Sequence, residues 1–151
     1  MNGKIIANNK KAYHDYFVEQ KYEAGIELCG TEVKSLRQGK VNLKDSWCNI
    51  VEGELFVNAM HISEYDHGNI FNKDPMRVRK LLMHKREINK LNALIKQDGY
   101  AIIPLSMYFS GSLVKLEIGV CKGKKLYDKR AAEAQKSAKR DIDRAIKEQS
   151  R

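Results

Sequence analysis

The clearest hydrophobic pattern in this chain is a two-residue alternation over residues 16–28. Its even positions are mostly apolar or aromatic, whereas its odd positions include Glu19, Lys21 and Glu23. Alternation of this kind predicts a strand with one face in a core and the other in water. Gly25 interrupts the pattern, and we expect a bulge or a strong bend there.

Four later segments also favour strands. They are rich in β-branched and aromatic residues and are separated by turn-forming residues. Val114, Leu116, Ile118 and Val120 alternate with charged neighbours in the last of them. The segments are SWCNIV (46–51), LFVNAMHI (55–62), AIIPLSMYF (101–109) and LVKLEIGVC (113–121), with turns at Glu52-Gly53-Glu54 and Ser110-Gly111-Ser112.

Two regions have helical spacing. A short helix is predicted for TEVKSLRQ, capped by Thr31, with Val33 and Leu36 facing inward and Gly39 at its end. A longer helical region follows Pro75 and ends at Gly99. Its apolar residues recur at spacings of three and four, and they are Leu81, Leu82, Ile88, Leu91, Leu94 and Ile95.

The order of elements indicates a mainly β fold with helices. A long first strand and antiparallel hairpins suit a small barrel better than a parallel sheet. We therefore expect an OB-type antiparallel β-barrel with embedded helices over residues 1–122. The stretch EYDHGNIFNKDP, rich in Asp, Asn and Gly, is expected to be an ordered loop between strands and helices.

Residues 123–151 are expected to form a basic, helix-prone C-terminal tail. The last 30 residues hold eleven Lys or Arg and five Asp or Glu, so they carry most of the net charge of +9. From Ala131 onward, Ile142 and Ile146 are the only large apolar side chains. Such a thin apolar stripe cannot offset the entropy cost of ordering. The prediction is a tail that is disordered alone and helical on a charged partner.

The overall charge indicates the class of partner. A net charge of +9 and a pI of about 9.4 are typical of proteins that bind a polyanion. The basic C-terminal segment lacks the bulky apolar face of a membrane-surface helix, so nucleic acid is favoured over membrane. The sequence has neither a secretory h-region nor an apolar run long enough to span a bilayer, which predicts a cytoplasmic protein.

Metal and catalytic chemistry are not favoured by the sequence. Cys29, Cys48 and Cys121 are widely separated and fit buried free thiols better than a zinc site or a disulfide framework. None of the common catalytic or nucleotide-binding motifs occurs. The glutamates between residues 19 and 27 fit the solvent face of a strand better than a nuclease site. We expect no enzyme activity and no cofactor.

Two basic clusters are candidate RNA contacts. In GKKLYDKR (123–130), cations surround Tyr127, whose ring could stack on an unpaired base while the cations bind phosphates. A solvated basic terminus is the alternative. In RVRKLLMHKR (77–86), the alternative is a solvated helix face, but Leu81 and Leu82 are adjacent and cannot both face one core. One of them is available to pack against a ligand or a neighbouring loop.

Several longer motifs, taken together, identify a family resemblance. They occur in the order NKKAYHDY (9–16), YEAGIEL (22–28), GTEVKSLRQGK (30–40), NKDP…RKLLMHKREI (72–88) and GKKLYDKR. Over nearly the whole chain to Arg130, this set closely resembles the small protein B family, the SsrA-binding proteins of bacterial trans-translation. The tail after Arg130 is similar only in being basic and helix-prone.

The resemblance implies a non-catalytic adaptor on an oligonucleotide-binding barrel. The family binds the tRNA-like domain of transfer-messenger RNA (tmRNA) and accompanies it, with elongation factor Tu as an indirect partner, into the A site of stalled ribosomes. Its C-terminal tail becomes helical in the decoding centre and the empty mRNA channel of the small subunit. The ribosome and its small-subunit RNA are therefore implied partners.

The resemblance also implies two groups of site residues. Asn9 and Lys10, before the first strand, and Glu23 and Leu82 match tmRNA-binding positions, and the strand end would adjoin them. Tyr127 stands where some relatives have histidine. The implied tmRNA-binding residues are Asn9, Lys10, Glu23, Leu82, Lys122 and Gly123, and those for the decoding centre and mRNA channel are Lys124, Lys125, Tyr127, Asp128, Lys129 and Arg130.

Two other functions remain open at this point. A general single-stranded RNA-binding protein, such as a translation factor or chaperone, would not prefer one folded RNA over unstructured oligonucleotides. A nuclease would cleave RNA with a divalent metal and lose activity on replacement of Glu23 or Asp15.

Overall fold

The computed structural model describes residues 4–66 and 72–124 of the protein. Within these two ranges it contains nine strands and three helices. In chain order they are β1 (Ile5–Asn8), α1 (Lys10–Asp15), β2 (Tyr16–Ile26), α2 (Gly30–Arg37), β3 (Val41–Asn42), β4 (Trp47–Val51), β5 (Glu54–Asn58), β6 (His61–Ile62), β7 (Arg79–Leu82), α3 (Lys85–Asp98), β8 (Ala101–Ser110) and β9 (Leu113–Gly123).

Six strands are joined in a ring of antiparallel pairings. β2 pairs with β7 on one side and β9 on the other, and β9 continues to β8. β8 pairs with β4, and β5 connects β4 back to β7. β1 pairs with the second half of β8, and β3 pairs with β6 in a separate two-stranded sheet. The predicted antiparallel β fold with embedded helices is confirmed.

The inward faces of these strands form the main core, as the alternation predicts. On β9, the side chains of Val114, Leu116, Ile118 and Val120 are buried. They pack in one cluster with buried residues of β2, β4, β5, β7, β8 and α3. Burial of an aliphatic side chain contributes about 1.5–3 kcal/mol, so this cluster is the main stabilising feature of the barrel.

The predicted turns are also confirmed. Glu52 and Gly53 both have positive φ and connect β4 to β5 in a tight hairpin. Gly111 has a φ of 63° in the turn between β8 and β9. Gly99, with a φ of 69°, ends α3, and Gly39 has the same left-handed geometry after α2.

The helical prediction for residues 79–82 is wrong, because this segment is strand β7. Arg79 and Leu81 point into the protein, whereas Leu82 is exposed, which is the alternation of a strand. Pairing with β2 and β5 on both sides stabilises the extended form over the local helical spacing. RVRKLLMHKR is therefore not one solvated helix face, and α3 begins only at Lys85.

Three smaller predictions also need correction. The predicted strand 55–62 is divided, because Ala59 takes a positive φ and the chain then enters β6. The bulge in β2 lies between Val18 and Gln20, whereas Gly25 is regularly paired. Cys29, and not Thr31, is the residue before α2, and its N–H is bonded to Glu32 Oε1 at 2.9 Å.

Two features near the N-terminus and one cysteine differ from expectation. β1 and α1 precede the strand that was predicted to be the first. Neither element was predicted, because the apolar stretch at residues 5–7 is too short to show a helical or strand periodicity. Cys48 and Cys121 are buried free thiols, as predicted, and burial raises the pKa of Cys121 to about 11. Cys29 is only partly buried.

A buried ion-pair network connects α2 to the start of β7 and to the residues just before it. Arg79 is fully buried and donates from Nε to Glu32 Oε2 at 2.6 Å and from Nη1 to the Met60 carbonyl at 2.8 Å. Arg77 Nε donates to the same carboxylate at 3.1 Å. Burial alone would raise the pKa of Glu32, but the donors from Arg77, the Cys29 N–H and Arg79 outweigh it and hold that pKa below its usual range.

Candidate nucleic-acid interface

Glu23 and Leu82, predicted from distant parts of the sequence, lie together in one open groove. Glu23 is on β2 and Leu82 is on the neighbouring strand β7. The groove has a volume of about 520 Å³ and lies beside the start of α3. The other lining residues are Gly25, Met83, His84, Glu87 and Lys115.

Gly25 lines the groove and, because it has no side chain, leaves space there for Leu82. Gly25 is paired with Leu82 on one side and Lys115 on the other. A Cβ atom at Gly25 would lie 3.3 Å from the Leu82 Cβ, closer than most real contacts. Leu82 is 47% exposed while the preceding Leu81 is 1% exposed, so the surplus leucine does face outward, into the groove.

The Glu23 carboxylate is held in place by a buried tyrosine. The hydroxyl of Tyr108 on β8 donates to Glu23 Oε2. Burial, followed by the bond to Glu23, raises the pKa of Tyr108 well above its usual range, so the phenol stays neutral and remains a donor. Among the described residues, no hydrogen bond reaches Glu23 Oε1. That oxygen can accept from a guanine edge or a ribose hydroxyl.

Charge and apolar surface are combined in this groove. Lys115 supplies a cation that could bind a phosphate beside the carboxylate. Leu82 supplies an apolar surface for a ribose or a base. The mixture suits a nucleic acid, whose surface alternates anionic, polar and flat apolar parts.

Lys122 and Gly123 lie at the other end of the β2–β9 ladder. Gly123 is opposite Tyr16, whereas Glu23 is opposite Glu117. Six residues of strand separate the two positions, or about 20 Å. Lys122 and Gly123 therefore do not line the groove, and the single surface predicted from the sequence has two parts.

α1 and the end of β9 form the second part. The Lys124 N–H donates to the Asp15 carbonyl at 2.9 Å, and Lys124 Nζ donates to the Tyr13 carbonyl at 3.1 Å. Lys10 is exposed on the same helix. Lys124 is thus attached to α1, next to the point where the tail begins.

The side chain of Asn9, a predicted tmRNA-binding residue, lies inside the protein, and its contact with tmRNA stays a prediction. Asn9 is 4% exposed and follows β1, so it does not precede the first strand. Its Nδ2 donates to the carbonyls of Pro104 at 2.8 Å and Leu43 at 3.3 Å, and its Oδ1 accepts the Ala12 N–H and caps α1. These hydrogen bonds position α1, because the polar groups of the Asn9 side chain are directed inward.

The residues predicted for the ribosome lie largely outside the described residues. Lys124 is described, as the last residue of the second range. The others, Lys125, Tyr127, Asp128, Lys129 and Arg130, fall beyond it.

Sequence reasoning missed three residues of the site region. Tyr108 and Lys115 belong to segments recognised as strands, but only the pairing across β9 brings them to Glu23. Phe17 is an exposed aromatic residue at an odd position of β2, and the bulge between Val18 and Gln20 puts it opposite Lys122, on the other face of the strand from Glu23. An aromatic residue at an odd position departs from the alternation, which is a signal the sequence does contain.

The described part of the chain contains neither a metal cluster nor a helix that could span a membrane. Within residues 4–66 and 72–124, no group of three or more His, Cys, Asp or Glu side chains could hold a metal ion. In the same part of the chain, no helix is long and apolar enough to cross a membrane.

Proteins of one known family are similar to this chain over nearly its whole length. Residues 6–148 match the SmpB protein family. The SsrA-binding protein of Ruminiclostridium cellulolyticum is 62% identical over 148 residues, which are 98% of this chain and 96% of that protein. The SsrA-binding protein of Clostridium botulinum is 62% identical over 146 residues, covering 97% and 94% of the two chains.

A solved structure gives an independent comparison. A chain of a solved structure described as "tmRNA-SmpB: a journey to the center of the bacterial ribosome" superposes on this protein with a TM-score of 0.68. The two chains are 42% identical in sequence. The match covers 82% of this chain and 87% of that one. Since sequence and fold agree over most of its length, this chain belongs to the SmpB family.

Proposed function

We propose that this protein binds the tRNA-like domain of tmRNA through its barrel and delivers it to stalled ribosomes in the cytoplasm. The observation that carries the proposal is the groove in which Glu23 and Leu82 meet. Membership of the SmpB family supports it, as do the relatives named for binding SsrA and the matched chain described with tmRNA and the ribosome.

The groove supplies three kinds of RNA contact in a small space. Glu23 accepts hydrogen bonds, Leu82 packs against a flat surface and Lys115 neutralises a phosphate. Folded RNA is recognised through shape, hydroxyl groups and exposed bases, so a mixed groove suits it better than a uniformly basic one. The protein acts by binding and has no catalytic step of its own.

The tail acts on the ribosome in this proposal. Residues from Lys124 to Arg130 contact the decoding centre. Tyr127 supplies a stacking ring, Asp128 is the one acidic residue of this segment, and the cations are Lys124, Lys125, Lys129 and Arg130. The following residues occupy the empty mRNA channel, where ribosomal RNA supplies the packing that a thin apolar stripe lacks. Elongation factor Tu, which carries the alanine-charged tmRNA, is an indirect partner.

Binding measurements with two RNAs test the proposal. The affinity of the full-length protein is compared for tmRNA and for an unstructured RNA of equal length at one salt concentration. We expect a strong preference for tmRNA. Leu82→Ala and Glu23→Gln should each weaken tmRNA binding about tenfold, which corresponds to about 1.4 kcal/mol.

A matched control is available at Val78, the residue just before β7. Val78 is 53% exposed but does not line the groove, so Val78→Ala should leave the affinity unchanged. Equal affinity for the two RNAs would favour the alternative, a general single-stranded RNA-binding protein.

A further inference from the structure

A cavity of about 190 Å³ lies between α1 and the start of β4. Trp47, the only tryptophan of the chain, lines this cavity and is 46% exposed. Ala12 and Ile103, both buried, form its apolar base. We call this cavity the Trp47 pocket. Its remaining lining residues are Tyr16 and five polar residues, Asn9, Lys11, Asp15, Asp45 and Ser46.

The register of the sheet explains why Trp47 faces this pocket. Cys48 on β4 is paired with Ile102 on β8, so in this antiparallel pair Trp47 lies beside Ile103. Cys48 and Ile102 belong to the main core, whereas Ile103 belongs to a second, smaller cluster that contains Ala12 of α1. Because successive side chains of a strand alternate, Trp47 and Ile103 point away from the main core and toward α1.

Hydrogen bonds hold α1 against the loop before β4 and fix the shape of the pocket. Asn9 Nδ2 donates to the Leu43 carbonyl at 3.3 Å, and Lys11 Nζ donates to Asp45 Oδ1 at 2.7 Å. The buried Ser46 donates its N–H to the Leu43 carbonyl at 3.1 Å. Asp45 has a φ of 63°, which is uncommon outside glycine and occurs often where ligands bind. A pocket shaped in advance loses less conformational entropy on binding.

The Trp47 pocket suits a flat ring with polar edges. Cavities of about 150 Å³ hold a benzene ring, so its volume is sufficient for the ring of one nucleobase. The exposed indole offers a face for stacking, and within residues 4–66 and 72–124 no hydrogen bond engages its N–H. Lys10 and Lys44, both exposed, are next in sequence to residues of the rim and can bind the phosphates on either side of an inserted base. The polar rim disfavours a purely apolar occupant such as a lipid tail.

We propose that the Trp47 pocket takes up one unpaired base of tmRNA, which stacks on the indole while Lys10 and Lys44 bind the adjacent phosphates. The inference rests on the proposed function and adds a second contact to it. Proteins that bind unpaired nucleotides combine an aromatic stacking face with cations in this way. It also gives the buried Asn9 an indirect role in tmRNA binding, because Asn9 holds the loop that leads to Trp47.

The fluorescence of Trp47 tests the inference on the unsubstituted, full-length protein. Because the chain has no other tryptophan, its tryptophan emission reports on this pocket alone. Titration with tmRNA should quench the emission in step with the bound fraction. Saturating tmRNA should also protect the indole from the collisional quencher acrylamide. Emission and acrylamide accessibility that stay unchanged while tmRNA binds would overturn the inference.

Substitutions of Trp47 separate the effect of the flat ring from that of apolar bulk. Trp47→Leu removes the stacking face, so we expect tmRNA binding to weaken about 5- to 100-fold, the range for one lost base stack. Trp47→Phe keeps a flat ring and should retain most of the affinity. The salt dependence should be the same for both variants, because no charge is altered. Urea denaturation checks that each variant is folded, and Val78→Ala, which changes neither cavity, is the control.

The outcomes separate this inference from the proposed function. Dimethyl sulfate should modify at least one tmRNA base in the complex with Trp47→Leu that the unsubstituted protein protects. If Leu82→Ala weakens tmRNA binding and Trp47→Leu does not, the pocket is not an RNA contact, although the groove is. The inference is also wrong if ribosomes quench the Trp47 emission and tmRNA alone does not. If the unsubstituted protein shows no preference for tmRNA over unstructured RNA, the proposed function itself is wrong.

Discussion

The Tyr108 hydroxyl donates a hydrogen bond to the Glu23 carboxylate across an intervening strand. Tyr108 is on β8 and Glu23 is on β2, and β9 pairs with both. The buried phenol thus holds the exposed Glu23 carboxylate in one position. The sequence alone predicted only that Glu23 lies on the solvent face of a strand. A fixed acceptor loses less conformational entropy when a ligand binds, which favours affinity.

Replacing Tyr108 by phenylalanine tests this positioning. We expect Tyr108→Phe to weaken tmRNA binding several-fold, while the free energy of unfolding falls by only about 0.5–1.5 kcal/mol, as for one lost hydrogen bond. Binding assays and urea denaturation measure the two effects. Unchanged affinity would mean that the carboxylate does not need Tyr108 to bind RNA.

The space at Gly25 gives a second prediction. A Cβ there would press on Leu82, so Gly25→Ala should displace Leu82 and weaken tmRNA binding by about tenfold or more. Gly30 has nothing within 4 Å of its added Cβ, and Gly30→Ala should bind normally. Equal binding by both variants would show that the shape of the groove is unimportant.

The buried charge network predicts a large effect on stability. Glu32→Gln leaves the buried Arg79 guanidinium without its anionic partner, so we expect a loss of about 3–5 kcal/mol at neutral pH by urea denaturation. Glu54→Gln removes an exposed ion pair with Lys80 and should change stability by less than about 1 kcal/mol. Similar effects of the two substitutions would contradict the role given to burial.

The same network predicts a dependence on pH. The pKa of Glu32 is below its usual value of 4.5 in the folded state, so its contribution is complete above that value and is lost as pH falls through the folded-state pKa. The stability difference between the unsubstituted protein and Glu32→Gln should therefore shrink below pH 4.5. A difference that stays constant at lower pH would contradict this assignment.

Salt dependence separates the cations from the other contacts. Lys115→Gln removes one cation from the groove, so the slope of log affinity against log salt should become shallower by about 0.7–0.9, the contribution of one phosphate contact. Leu82→Ala should lower the affinity without changing the slope. If Lys115→Gln left the slope unchanged, Lys115 would not contact a phosphate.

Local patterns along the sequence predicted much of the fold. The alternation on β9, the turns at Gly53 and Gly111 and the end of α3 at Gly99 depend on neighbouring residues, and all are confirmed. β7 was not predicted as a strand, because its apolar residues continue the three- and four-residue spacing of the following helix, α3. What makes it a strand is pairing with β2 and β5, which no local pattern records.

The site was predictable only in part for the same reason. The adjacent leucines 81 and 82 indicated that one side chain faces outward, and the motifs indicated Glu23. The placement of Lys115 and Tyr108 depends on the register between β2, β8 and β9. The inward direction of Asn9 depends on carbonyl groups distant in sequence, including that of Pro104.

The most direct test of the account separates the barrel from the tail. Since Lys124 is hydrogen-bonded to α1, the chain is ended after Lys124 and compared with the full-length protein. Binding to tmRNA and peptide tagging on stalled ribosomes are measured for both. We predict that the shortened protein binds tmRNA with nearly full affinity but does not support tagging. If tmRNA binding is lost together with tagging, the tail is a general phosphate contact and the assignment of RNA binding to the barrel is wrong.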